Sequence, residues 1–306
     1  MRIRSLIGIA AFGLFFAVGL TSCFTGIEST PKITQKDVRR ETGTVSPERV
    51  LSDSLLMGGF SAWKSGKCFV VTDSRLSRVF EGYPEVEVGD TLVYTGVERI
   101  PSVMGDSVAR LSFTNGSRLL HYRLPSSVGN IQKRRSLDIP FAVDLDLVDN
   151  VSERLTGRTF YILTSRRLTS DGKDAFGEKY VPVRITGVRP GEYPFPLMIE
   201  FEASDRQLYM VKMNVADDGL ATRCFADLFA FNDPHLRYSQ ITDEVWGKIR
   251  QSKVEEGMTR DECRLALGTP SDVNKWHNNS SFFERWTYEN GSYLVFEDGL
   301  LSTFRI

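Results

Sequence analysis

Apolar and polar positions follow three different patterns along the chain. Residues 5–20 form one apolar run without a charge, residues 60–218 carry short runs of strand-forming residues, and residues 241–306 pass from helical to alternating spacing. Short runs separated by turn residues predict antiparallel strands, whereas apolar residues three and four positions apart predict helices. The pattern therefore predicts a β-rich protein of the α+β class, preceded by a separate apolar segment.

Two segments of the β-rich region repeat each other. The matching blocks occur in the same order: 66–71 with 157–162, 92–97 with 183–188, 111–113 with 199–201, and 118–122 with 206–210. They predict two units, residues 57–126 and 140–218, each of about five antiparallel strands. Sheets this small must protect their edges, so we expect each unit to close into a compact SH3-like barrel. One larger sandwich or barrel built from both units is the alternative.

Two segments connect the predicted domains. Residues 126–140 contain Lys133-Arg134-Arg135, which is either a solvated linker or a basic contact for lipid head groups or an anionic partner. Residues 219–240 contain several large apolar side chains, which we interpret as a buried strut before the last domain. An exposed anchor for a partner is the alternative. The alternating Leu and Asp residues over 144–149 predict an edge strand rather than a calcium loop.

The last region, residues 241–306, predicts two helices followed by three strands. Thr242 caps the first helix, and Thr259 with Glu262 forms a capping box for the second. Gly268 ends that helix, and Pro270 prevents it from resuming. The three predicted strands, 285–288, 293–296 and 301–306, are separated by the turns Asn290-Gly291 and Asp298-Gly299.

This region resembles the SmpA/OmlA (BamE-like) family. The resemblance rests on a set of glycine, proline and aromatic positions: Val254, Gly257-Met258-Thr259, Leu267-Gly268, Pro270, Trp286, Tyr288, Leu294, Phe296 and Gly299-Leu300. It implies an ααβββ fold and a relation to lipoproteins that support outer-membrane protein assembly. Here over 200 residues separate the domain from Cys23, and residues 274–281 depart from the family pattern. We expect Trp286 and Tyr288 to belong to the core.

The N-terminal apolar run is too short for an ordinary membrane-spanning helix, which needs about 20 apolar residues. Arg2 and Arg4 precede it, and Leu20-Thr21-Ser22-Cys23 follows it. This arrangement resembles a bacterial lipoprotein signal peptide, residues 1–22, that ends in a lipobox. The resemblance implies a diacylglyceryl group on the Cys23 sulfur and a fatty acid such as palmitate on its new amine.

Residues 23–56 follow as a polar, lipidated tether, in which Ser46-Pro47 has the pattern of a short helix start. Residue 24 is Phe rather than Asp, which by resemblance to enterobacterial sorting implies the outer membrane. The stretch also lacks the acidic run that resembles a surface-export signal. We therefore expect a lipid-anchored protein on the periplasmic face of the outer membrane.

Composition adds exclusions rather than a function. The chain has 306 residues, of which 41% are hydrophobic and 25% charged, and its net charge is −1. These values are ordinary for folded protein. Because there is no basic stripe, we expect no nucleic-acid partner.

The search for catalytic or metal sites gives two weak candidates. A Cys68–His121 nucleophile pair and a Cys263–His277 zinc site are conceivable, but their spacing matches no known motif. His235 follows a turn. Cys68, Cys224 and Cys263 are either three free thiols, which we favour, or one disulfide and one thiol. We therefore predict no catalytic residue, metal or cofactor.

These observations lead to three functional hypotheses. The first is a membrane-anchored, non-catalytic binding or scaffold lipoprotein of the bacterial cell envelope, acting in outer-membrane assembly or maintenance with an envelope protein as partner. The second is a structural lipoprotein that binds peptidoglycan. The third is a cryptic Cys/His hydrolase. The sequence assigns no binding residue beyond the lipidation site, Cys23.

Overall fold

The computed structural model describes residues 45–102, 107–215, 223–278 and 280–306. The predicted signal peptide, residues 1–22, and the predicted lipidation site, Cys23, therefore lie outside the described residues. Within the described ranges, no helix is both long enough and apolar enough to cross a membrane. The described chain contains three antiparallel sheets and a few helices, which confirms the β-rich α+β class.

The first sheet has five strands in the order β4-β3-β2-β1-β5. Helix α1 (Pro47–Leu55) precedes it, and α2 (Val128–Gln132) lies between its fourth and fifth strands. The strands are β1 (Cys68–Val71), β2 (Thr91–Pro101), β3 (Ser107–Asn115), β4 (Arg118–Leu124) and β5 (Ala142–Asp144).

The second sheet has seven strands in the order β12-β6-β9-β10-β11-β7-β8. Helix α3 (Leu145–Leu155) precedes it, and α4 (Phe225–Leu228) leads into its last strand. The strands are β6 (Thr159–Ile162), β7 (Arg166–Thr169), β8 (Asp174–Phe176), β9 (Val181–Pro190), β10 (Leu197–Glu202), β11 (Leu208–Met213) and β12 (Phe229–Ala230).

The third sheet has four strands in sequence order and packs against two helices, α5 (Asp243–Arg250) and α6 (Arg260–Leu267). The strands are β13 (Asp272–Asn278), β14 (Ser281–Thr287), β15 (Tyr293–Glu297) and β16 (Leu300–Arg305). The expectation of three strands is wrong here, because the segment that departs from the family pattern pairs with β14 as a fourth strand.

The two segments with matching sequences carry the same local backbone features. The order β4-β3-β2-β1-β5 recurs as β11-β10-β9-β6-β12. A bulge interrupts β2 at Thr95-Gly96, and another interrupts the corresponding strand β9 at Thr186-Gly187. Ahead of the first strand, the Gly66 amide donates to Tyr94 at 2.8 Å and the Gly157 amide donates to Ile185 at 2.9 Å.

Neither of these sheets closes into a barrel within the described residues, so that expectation is wrong. Helices and connections cover the apolar faces instead. Leu76, Phe80 and Ile131 pack on the first sheet, and α3 packs on the second. Once such segments bury one face, a sheet no longer needs to close to protect its core.

Helix α3 begins within the segment for which alternation predicted an edge strand. The Asp144 carboxylate caps it by accepting a hydrogen bond from the Asp146 amide at 3.0 Å. Val148, Val151 and Leu155 then fall on one buried face at helical spacing. The Leu–Asp alternation is the first turn of this amphipathic helix.

Two further segments belong to the folded body rather than to linkers. Helix α1 lies within residues 23–56, the range predicted to be a tether, yet Leu55 is buried in the core of the second sheet. Phe225, Leu228 and Phe229 are buried as expected, but in the core of the second sheet and not between domains.

Candidate functional site

A cleft opens between segments that are far apart in the sequence. It has about 760 Å³ of empty space, its open mouth included. Three stretches supply most of its lining: 56–63 after α1, 136–144 around β5, and 193–196 before β10. Phe69, Thr72, Leu147 and Val215 complete it. Mainly apolar clefts with a few polar groups are typical of ligand sites.

The walls of the cleft are mainly apolar and aromatic. Trp63, Leu137 and Ile139 contribute to the lining. The rings of Phe141 and Tyr193 pack at 5.4 Å between centroids, and the Tyr193 side chain is 57% exposed. Such a surface binds apolar groups by removing them from water.

Two glycines allow the walls to approach each other. A Cβ atom on Gly59 would lie 2.2 Å from the Arg134 carbonyl oxygen, and one on Gly191 would lie 2.3 Å from the Phe195 oxygen. The chain after α1 therefore rests directly on the backbone that leads to the 136–139 wall. Any larger residue at Gly59 would displace that wall.

Phe141 has a strained backbone at the edge of this site. Its φ of +67° lies in the left-handed region, which side chains beyond glycine rarely adopt. The Thr72 amide and hydroxyl both donate to the Phe141 carbonyl oxygen, at 2.9 and 3.3 Å, and hold it in place. Strain of this kind, which costs about 1–3 kcal/mol, is concentrated at binding and active sites.

An ion-pair cluster lies beside the cleft and includes Asp144 of the lining. The Lys67 ammonium contacts the Asp144 and Asp146 carboxylates at 2.7 and 2.6 Å, and its side chain is only 9% exposed. Burial raises the pKa of Asp144 above its ordinary value, although the hydrogen bond from Lys67 opposes this shift. Asp138 also lines the cleft.

The predicted cysteine–histidine combinations are not brought together. Cys68 lies on β1 and His121 on β4, with β2 and β3 between them. His121 instead contacts the Ser112 hydroxyl through Nδ1 at 3.1 Å. His277 lies on the exposed strand β13 and packs against Phe282 of β14, whereas Cys263 is buried on α6. In the described ranges, no group of three or more His, Cys, Asp or Glu residues is placed to hold a metal ion.

Cys68, Cys224 and Cys263 are all free thiols. Burial and the nearby Asp227 carboxylate raise the pKa of Cys224, and burial raises that of Cys263 to about 12. Because the thiolate is the nucleophile, these two side chains are poor nucleophiles at neutral pH.

The remaining candidates have structural positions. Trp286 is completely buried and donates to Glu284 at 2.6 Å, and the Tyr288 hydroxyl reaches the Gly268 carbonyl at 3.4 Å. His235 stacks on Trp246 with centroids 4.9 Å apart. The basic run 133–135 is exposed and follows α2.

Sequence reasoning missed the cleft. Most of its lining residues come from three stretches that are far apart in the sequence, and none of the three carries a recognisable site motif. The pair Gly58-Gly59 just after α1 is the sequence feature that could have indicated the cleft, because glycines often occur where two backbone segments approach closely.

The comparisons with known proteins add no relative: no protein-family model, curated protein or solved structure matches the chain.

Proposed function

We propose that this chain is a membrane-anchored, non-catalytic binding or scaffold lipoprotein of the bacterial cell envelope, acting in outer-membrane assembly or maintenance. The observation that carries the proposal is the lipobox ending at Cys23, placed ahead of a folded body that contains an apolar cleft. In this proposal the acylated Cys23 holds the protein on the periplasmic face of the outer membrane, and the body engages an envelope protein.

The proposed tether sets how far the folded body can extend from the lipid anchor. Residues 23–44 would span at most about 75 Å when fully extended. Acylation at both the sulfur and the amine of Cys23 provides more than one chain, which stable anchoring requires. The body therefore samples partners within a limited distance of the membrane surface.

The C-terminal region serves as a second binding module in this proposal. Its two helices and the strands β14, β15 and β16 occur in the ααβββ order of the BamE-like family, with β13 added before them. The added strand is exposed along its whole length, whereas Trp286, Leu294 and Phe296 fill the core beneath the sheet. An exposed strand beside a rigid core suits a platform for a partner.

The first test is lipidation itself. We expect cells fed with labelled palmitate to incorporate it into the wild type but not into a Cys23→Ala variant. Cys68→Ala is the matched control, because it removes a thiol of the folded body and leaves the anchor. Label that persists in Cys23→Ala would refute the anchor.

The second test is crosslinking mass spectrometry on intact envelopes. We expect the wild type to crosslink to an outer-membrane protein or an assembly factor, and Cys23→Ala to lose those crosslinks. Crosslinks that reach only abundant neighbours, and that do not differ between the two proteins, would contradict the scaffold role.

A second candidate function is peptidoglycan binding, which one surface feature supports. Trp276 on β13 is 40% exposed and stacks on Phe283, and Asn274 and Asn278 flank it on the same face of the strand. An exposed ring between amides suits a sugar. Co-sedimentation with purified sacculi that Trp276→Ala abolishes would favour this role, and equal sedimentation of both proteins would exclude this surface.

A further inference from the structure

We infer that the cleft binds an extended polypeptide segment of a partner protein, which pairs with the free edge of β5 and carries an apolar side chain beside a basic one. This inference rests on the proposed binding function and specifies what that function recognises. Three features of the cleft support it: a strand edge, an apolar subsite and acidic side chains in the lining.

The strand edge is the first feature. Among the residues that the structure describes, β5 is the terminal strand of the first sheet and pairs only with β1. The Val71 amide donates to the Asp90 oxygen at 2.8 Å, so the backbone of Val71 faces away from β5. In an antiparallel pair, the residue opposite such a position also faces outward. Val71 lies opposite Ala142, so Ala142 and, two residues on, Asp144 direct backbone groups away from β1.

Both outward-facing residues line the cleft. The Ala142 amide already donates to the Ile139 oxygen at 3.1 Å, which leaves the Ala142 carbonyl and the Asp144 amide directed away from β1. One acceptor and one donor at this spacing match the backbone of an extended peptide. The cleft therefore offers the start of a strand pairing inside an apolar site.

The apolar subsite lies beside this edge. Leu137 and Ile139 form its floor, and the Phe141 and Tyr193 rings form one side. Alternate side chains of an added strand point to one face, so one apolar side chain of the peptide would enter this pocket. Partly exposed tyrosines in such positions often contribute strongly to binding.

The charge of the lining selects the class of ligand. The charged residues among those that line the cleft are Asp138 and Asp144, and Lys67 pairs with Asp144 and with Asp146 beside the cleft. Arg75 stacks on the Phe141 ring at 4.7 Å. The two carboxylates in the lining favour a basic side chain in the ligand and disfavour the phosphate or carboxylate head of a lipid.

The experiment pans a phage library of random heptapeptides on the full mature chain, with Cys23→Ala to keep it in solution. We expect enriched peptides in which apolar and basic residues alternate. Tyr193→Ala should weaken the binding of the corresponding synthetic peptides at least about ten-fold. Tyr83→Ala, which removes an exposed tyrosine outside the cleft, should leave it unchanged. Asp138→Asn, in the lining, should reduce the preference for basic residues.

Backbone pairing is tested on the same peptides. N-methylation of alternate amides should abolish binding in one register and spare it in the other, because only one set faces β5. Circular dichroism of each variant checks that the fold is intact.

Three outcomes would overturn the inference. The first is that no peptide is recovered, and the second is that the recovered peptides bind Tyr193→Ala as well as the wild type. The third is that the wild type binds the fatty acid probe cis-parinaric acid, that Tyr193→Ala abolishes this binding, and that no peptide depends on the cleft. Envelope crosslinks that avoid the cleft but require Cys23 would refute this inference and leave the proposed function standing.

Discussion

Cys263 shows how burial changes the chemistry of a single side chain. It faces the core beneath the third sheet, where burial raises the pKa of its thiol from an ordinary 9.0 to about 12. The unfolded chain would lose this proton near pH 9, whereas the folded chain retains it. The folded state therefore binds more protons between about pH 9 and 12, and stability falls as the pH rises through this window.

We expect the free energy of unfolding of the wild type to fall relative to Cys263→Ala as the pH rises from 8 to 11, by up to about 1.4 kcal/mol per pH unit. Urea unfolding under reducing conditions, followed by tryptophan fluorescence, measures it. Cys263→Val is the control, because it fills more of the site yet lacks the thiol. If the free energies of unfolding of Cys263→Ala and Cys263→Val depend differently on pH, the thiol does not cause the pH dependence of the wild type.

Helix caps are the residues that sequence reasoning placed best. The Thr259 amide donates to Glu262 at 2.7 Å, and the Glu262 amide donates to the Thr259 hydroxyl at 3.3 Å, as the capping-box pattern predicted. Ser46 and Thr242 also cap their helices, each by accepting a hydrogen bond from the amide three residues further on. Caps are readable because partner atoms lie within three residues in the sequence.

At the scale of elements, the two repeated strand sets share a backbone constraint at their first strands. Gly66 and Gly157 have φ values of +96° and +82°, and a Cβ atom at either would meet nothing within 4 Å. An alanine there would therefore strain the backbone without a steric clash. The constraint explains why the repeat retains glycine at both positions.

We expect Gly66→Ala and Gly157→Ala each to lower the free energy of unfolding by about 1–2 kcal/mol, and the double variant to lose roughly the sum. Chemical denaturation measures the three values.

Gly96→Ala is the matched control for the two glycine variants. Gly96 also has open space around a Cβ atom but lacks a positive φ, so its substitution should change stability by less than about 0.5 kcal/mol. A loss at Gly96 equal to that at Gly66 would show that φ is not the cause.

At the scale of the whole molecule, a buried lysine joins the second sheet to the C-terminal module. The Lys179 ammonium donates to the Leu265 and Ala266 oxygens at 2.5 and 2.6 Å, where α6 ends. The neighbouring Tyr180 hydroxyl also donates to Leu265, at 3.0 Å, and its ring packs on Trp246. The last carbonyls of a helix have no partner within the helix, so this cation satisfies them.

We expect Lys179→Met to lower the free energy of unfolding by about 1–3 kcal/mol. Hydrogen exchange should show the loss of protection first in α6 and α5. Lys173→Met, at a side chain that is 80% exposed, is the control and should change neither quantity. Protection lost evenly over all three sheets would contradict a role as a local joint.

The same lysine predicts a pH dependence of opposite sign to that of Cys263. Burial lowers the pKa of Lys179 from 10.5 to about 8, so the unfolded state binds more protons between these values. Stability of the wild type relative to Lys179→Met should therefore rise as the pH increases from about 8 to 10.5. Urea midpoints of the two proteins at matched pH values test the sign, and a falling difference would contradict it.

The sequence by itself determined the features that depend on neighbouring residues. These are the positions of most strands, the caps of α5 and α6, the end of α6, and the glycines just before β1 and β6. Each depends on contacts within a few residues or on one residue's allowed φ and ψ angles, so composition and spacing encode them directly. The β-rich class followed from the same local signals.

The tertiary structure decided the rest, because the deciding contacts join distant positions. The strand sets remain open since α1 and α3 cover the second sheet, and α3 replaces a predicted strand because its buried face meets that sheet. The cleft exists only where 56–63, 136–144 and 193–196 meet. Local residue types do not specify which distant segment will bury an apolar face.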